Sequence, residues 1–131
     1  MITLDRAQEL IANGIAEAGR QDLQLAFAVV DAAGHLVASA RMDGAPWIAP
    51  EVALGKAWTA AAYGLPSAAQ GEKMQSLHAF SASISAATHG RYTPQIGGLP
   101  LFDGDTVVGA IGASGGTGQQ DEDVVRAAIR G

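Results

Sequence analysis

One lysine sits where an ammonium is costly. The segment Val52-Ala53-Leu54-Gly55-Lys56-Ala57-Trp58-Thr59-Ala60-Ala61-Ala62-Tyr63 is apolar on every side of a helix, and Lys56 is its one charged residue. An unpaired ammonium in such surroundings must find an anion or lose its proton. Two kinds of chemistry follow. Lys56 could anchor the carboxylate of a ligand, or it could serve as a base in proton transfer. The plain alternatives are a salt bridge to Asp31, Asp43 or Glu51, or a stem lying on the surface with its head in water.

Other polar groups could join it. Arg41 and Asp43 flank Met42 at the end of an extended stretch, so a period of two puts both on one face. Arg41 could grip a carboxylate through two parallel bonds. Asp43 reads as fixing the exit of that hairpin, and Asp31 as capping its turn. Gly97-Gly98-Leu99-Pro100 leaves backbone amides uncovered, either for a ligand or for a tight turn into a strand. His89, Arg91 and Tyr92 cluster in an irregular stretch, where Arg91 could bind an acid and His89 could carry a proton. An exposed loop without a function is the alternative there. The catalytic candidates are therefore Lys56 and His89. The ligand-binding candidates are Arg41, Lys56, Arg91, Gly97 and Gly98.

Ser114-Gly115-Gly116-Thr117-Gly118 lacks the lysine of a phosphate-binding loop and the setting of a nucleophilic serine, so it reads as the start of a helix. Of the histidines at 35, 78 and 89, the last two would stand roughly 16 Å apart along one helix, too far to share a metal ion. No pair has the spacing of a zinc site, and no dedicated metal site is expected.

Periodicity supplies the elements that must position these groups. A helix over 3–20 presents Leu4, Ala7, Leu10, Ile11, Gly14, Ile15 and Ala18 on one stripe, capped by Thr3. Strands over 25–31 and 35–42 meet at Ala32-Ala33-Gly34. A helix over 50–63 stops at Gly64 and Pro66, and two shorter helices follow over 67–74 and 76–87. A second hairpin, 97–102 and 106–113, turns at Asp103-Gly104, and a helix over 119–130 closes the chain. The order is α-β-β-α-α-α-β-β-α. Consecutive hairpins imply an antiparallel sheet and an α+β fold.

With 131 residues the chain is read as a single domain, 1–131, able to bury a core without staples. Having no cysteine, it has no thiol chemistry and no disulfides, which suits a reducing cytoplasm. No signal peptide and no membrane span are visible. A net charge of −5 with eight scattered basic residues argues against nucleic acid as a partner. An apolar fraction of 48% with 16% charged residues leads us to expect surface buried between subunits, hence a homo-oligomer.

Several of these residues also carry a resemblance. Ala28-Val29-Val30-Asp31 with Gly34, Arg41-Met42-Asp43-Gly44-Ala45, Ala53, Lys56-Ala57, Thr59-Ala60, Gly97-Gly98-Leu99-Pro100, Gly109, Gly112, Ser114-Gly115-Gly116 and Asp121 together resemble the GlcG/HbpS family, which includes the C-terminal domain of some PduO proteins. The resemblance implies a profilin-like fold with a central antiparallel sheet of about five strands flanked by helices, assembled as oligomers. It implies a small-molecule ligand, either an anionic molecule or haem. The alternative it leaves open is a small enzyme acting on an organic-acid intermediate by isomerisation, hydration or hydrolysis. Some haem-binding relatives use a histidine on the first helix, and here that helix has none. The pocket is expected near the Lys56 helix, the Arg41 strand end and the Gly97-Gly98 turn.

Overall fold

A computed structural model describes all 131 residues. The elements run α1 (Leu4–Arg20), β1 (Ala26–Asp31), β2 (Leu36–Arg41), α2 (Ala49–Tyr63), α3 (Ser67–Lys73), a 3-10 turn (Met74–Ser76), α4 (His78–Ala87), β3 (Gly98–Asp103), β4 (Thr106–Ser114) and α5 (Gly118–Arg130). The strands form one antiparallel sheet in the order β2-β1-β4-β3. This is an α+β fold, and the sheet has four strands rather than about five. The stretch that could have supplied a fifth, residues 89–95, directs its bonds elsewhere. The Thr93 amide donates to Thr59 Oγ1 on α2, the Tyr92 amide to Thr88 Oγ1, and the Tyr92 hydroxyl to Gln70 Oε1. Burial pushes the Tyr92 phenol up, with Tyr63 adding to the shift.

Two layers of different texture cover the sheet. On one face α1 and α5 pack together over Phe27, Val29, Leu99 and Ile111, with Leu10, Val124 and Val125 filling the space between. Gly14 lets α1 come down onto the Phe27 ring, because a Cβ there would lie 2.6 Å from Phe27 Cε1. On the other face α2 lies directly on β1, β4 and β3, where Ala57, Ala60 and Ala61 meet Val30 and Ala110. Its alanines are what allow so close an approach. The first face is held by bulk, the second by proximity.

Local chemistry fixes the ends. Thr3 caps α1 by accepting from the Arg6 amide at 3.1 Å, and Thr117 and Gln120 form a reciprocal capping box on α5. In the β1–β2 turn Asp31 Oδ1 accepts from His35 N at 2.9 Å and Ala33 N at 3.0 Å. These bonds, the one from His35 N foremost, hold the Asp31 carboxyl below the usual range.

Two elements stay open. β3 is one of them, and Pro100 stands in its middle, a residue that edge strands accept and central strands do not. α4 is the other unpartnered element. It buries none of its residues, touches no helix or strand but the 3-10 turn before it, and leaves Leu77 and Phe80 exposed. No Asp, Glu, Lys or Arg occurs between residues 74 and 90. No helix is long and apolar enough to cross a membrane.

Candidate functional site

Lys56 points along β3 and β4 toward their common end. Its Nζ lies 3.0 Å from Asp121 Oδ2 and 3.0 Å from the Ala113 carbonyl oxygen. Asp121 Oδ1 in turn accepts from the Gly116 amide at 2.9 Å. Only 5% of the lysine side chain and 2% of the aspartate side chain reach solvent. A carboxylate in the first turn of α5 is also favoured by that helix's positive end. The pair therefore ties the α2 layer to the α5 layer around the end of the sheet.

The partner differs from those expected. Asp31 is occupied within its turn, Asp43 lies exposed in the loop after β2, and Glu51 faces Arg91 at 3.7 Å on the surface. Asp121 comes instead from 65 positions further along the chain. The glycines are explained by the same packing. A Cβ on Gly97 would stand 2.8 Å from Lys56 Cδ, and one on Gly98 would collide with the Lys56 carbonyl oxygen. Lys56, Gly97 and Gly98 thus come together, but the lysine stem occupies the space that a ligand was expected to take. None of the five principal clefts is lined by any of the three.

The other candidates lie apart. Arg41 ends β2, the edge opposite β3, where its Nη1 donates to the Ala45 carbonyl at 3.4 Å. The shallow cleft beside it is also lined by Asp22 and Asp43, which oppose an anionic guest. Arg91 is exposed and faces Glu51, and His89 is exposed at the end of α4 with φ 56°. His35 is exposed beside Asp31, and His78 is exposed at the start of α4. No histidine lines any of the five clefts, and no three His, Asp or Glu side chains converge as a metal site would need.

A different opening runs along the β3 edge. Between the α2–α3 turn and α5 lies a cleft of about 490 Å³, within the range of small-molecule pockets. Gly64, in a left-handed conformation with φ 64°, ends α2 and delivers Leu65 and Pro66 to one wall. Leu99, Pro100 and Phe102 supply the floor, and Ile129 the far side. Leu65 and Phe102 are half exposed, at 49% and 53%, an unusual outlay of apolar surface on so small a chain. Arg126 and Arg130, one turn apart on α5, line the same cleft, and no acidic residue does.

A second opening of about 410 Å³ shares Pro100, Phe102 and Ile129 with the first and contains Arg6. Three of the chain's eight basic residues therefore line these two adjoining openings, the second of which also contains Asp103, although the net charge is −5. Arg6 pairs with Glu9 at 3.2 Å on exposed surface, and Arg126 with the largely buried Glu122 at 3.5 Å. Arg130 is in no ion pair. The sequence reading passed over this group. Its signal was Arg126 and Arg130 four residues apart with Ile129 between them, which puts two cations and an apolar side chain on adjoining strips of one helix.

Comparison with known proteins places these features in context. Residues 2–130 match the family model described as haem degrading protein, HbpS-like. An uncharacterized 15.0 kDa protein encoded in the dhaT–dhaS intergenic region of Citrobacter freundii is 30% identical, the match covering 98% of this chain and 89% of that one. The crystal structure of Klebsiella pneumoniae protein ORFY superposes with a TM-score of 0.91 at 29% identity, over 98% of this chain and 88% of its own. A PduOC–haem complex superposes with a TM-score of 0.88 at 25% identity, over 98% of this chain and 93% of its own.

Proposed function

The chain belongs to the HbpS-like family of haem-degrading proteins, and from that premise we propose that it binds a small, flat, carboxylate-bearing molecule in the cleft beside β3. One observation carries this reading: apolar walls and two arginines, Arg130 without an ion pair and Arg126 held only by a long contact to Glu122, converge on a single opening of ligand size. The family supplies the ligand type, since one structural relative was crystallised with haem. Apolar rings suit Leu65, Pro100 and Phe102, and carboxylates suit the guanidinium groups, which bind such anions through paired bonds.

The fit to haem is partial. The ring and its acid groups match the cleft, but its lining contains no histidine, cysteine, tyrosine or methionine to bond iron. The residues at hand act by covering the ring and pairing the acids. Lys56 and Asp121 serve this site indirectly, by fixing the start of β3 on which the cleft is built.

Self-association belongs to the same proposal. Ten residues of helix that bury nothing need a cover, and an uncharged surface suits a copy of itself because no like charges meet across a two-fold axis. Hemin titration followed at the Soret band tests the binding. We expect one saturable site per chain, with Phe102→Ala weakening binding about tenfold while the thermal midpoint holds. Drift without saturation, or full affinity in Phe102→Ala, would remove the cleft from the reading.

A further inference from the structure

Resting on that assignment of the cleft, we infer that its ligand is chosen by two carboxylates and a planar apolar body, and that a metal ion adds nothing to the affinity. The argument begins with the arginines. Arg126 and Arg130 sit at positions i and i+4 of α5, so their side chains leave the helix about 6 Å apart, on the same side. Each guanidinium can take one carboxylate. Arg130 has no ion-pair partner, and Arg126, half-exposed, meets the largely buried Glu122 only at a long 3.5 Å, which leaves most of its N–H donors free for a ligand. Two separate acid groups on one face of a molecule would find both.

The body of the ligand is set by the opposite wall. Phe102 offers an exposed ring, and Leu65, Leu99, Pro100 and Ile129 surround it without a polar side chain among them. Such a surface rewards a wide flat apolar ring and gives nothing to a sugar. Finally, every side chain lining the cleft lacks a nitrogen, sulfur or oxygen atom suited to iron, apart from guanidinium groups, which carry no lone pair to donate. The ligand class is therefore an aromatic or tetrapyrrole dicarboxylate, with or without a central metal.

Three probes separate the terms: hemin, metal-free protoporphyrin IX, and the dimethyl ester of protoporphyrin IX, each titrated by quenching of tryptophan fluorescence. We expect hemin and protoporphyrin IX to bind within about threefold of one another, and the ester at least tenfold more weakly. The Arg126→Ala/Arg130→Ala double variant should lose at least tenfold in affinity for both acids and little for the ester. Glu122→Gln, which releases Arg126, should tighten both acids about twofold to threefold. Hemin binding that is tight while protoporphyrin IX fails would show that the metal carries the affinity, and would overturn the inference while ligand binding itself stood. An ester that binds as well as the acids would equally overturn it. Failure of all three probes would instead sink the assignment of the cleft.

Discussion

Lys56 and Arg130 are both cations beside apolar walls, and their fates are opposite. Lys56 is enclosed, with its ammonium bonded to Asp121 and Ala113, and its stem fills the notch left by Gly97. Arg130 stands on an outer turn of α5 beside an open cleft, with no ion pair. The first looks like a site in the sequence because burial makes it conspicuous. Burial is also what spends it, since a charge deep in a fold must be neutralised by the fold itself. A cation free to receive a ligand is found where solvation keeps it without a partner.

The contrast breaks most sharply at the enclosed end. Lys56→Met leaves Asp121 buried without its counter-ion and should cost about 3–5 kcal/mol in denaturant unfolding, whereas Arg130→Ala should stay within about 0.5 kcal/mol of the parent. Lys56→Met combined with Asp121→Leu should recover much of that loss, because no charge is then stranded. If Lys56→Met unfolds at the parental midpoint, the pair does not staple the two layers. The glycine notch comes next. Gly98→Ala drives a methyl group into the Lys56 backbone and should cost about 1–3 kcal/mol, while Gly104→Ala has open space around its Cβ and pays only for its turn conformation. Equal losses at both positions would contradict the close approach of α2.

The smallest effect concerns a carboxylate at the surface. Asp31 titrates below its ordinary range because the His35 and Ala33 amides favour its charged form. Its contribution is therefore complete above the unfolded Asp range, near pH 4, and disappears as acid carries the pH through the lower folded value. Asp31→Ala should lower the thermal midpoint at pH 7, with the gap between variant and parent closing as the pH falls through the folded value. A constant gap across that range would mean that the turn does not depend on the charge.

Much of the fold could be read from local pattern. Of the stripe read on α1, Ala7, Leu10, Ile11, Gly14 and Ala18 are buried while Leu4 and Ile15 at its margins are exposed, and the turn at Asp103-Gly104 does join β3 to β4. These are short-range signals, and periodicity or turn chemistry states them directly. The contact between Lys56 and Asp121 is a different matter. It depends on how α5 crosses the sheet, and no spacing within either helix encodes that. The groove shares the difficulty, being assembled from the α2–α3 turn, β3 and α5, so that Phe102 and Arg130 meet only in three dimensions. Residues 89–95 read only as irregular, and their course is set by a distant partner, Thr59, whose hydroxyl takes the Thr93 amide.

Pro100 has one more consequence. A sheet that ends in a free strand is a template on which other chains can polymerise, and the usual outcome at high concentration is fibrous aggregate. Proline at the centre of β3 has no amide hydrogen to give, so a docking strand would lose a rung midway along its length. The margin that welcomes a flat guest is thereby closed to backbone recruitment, and the protein can keep its cleft bare without seeding its own precipitation.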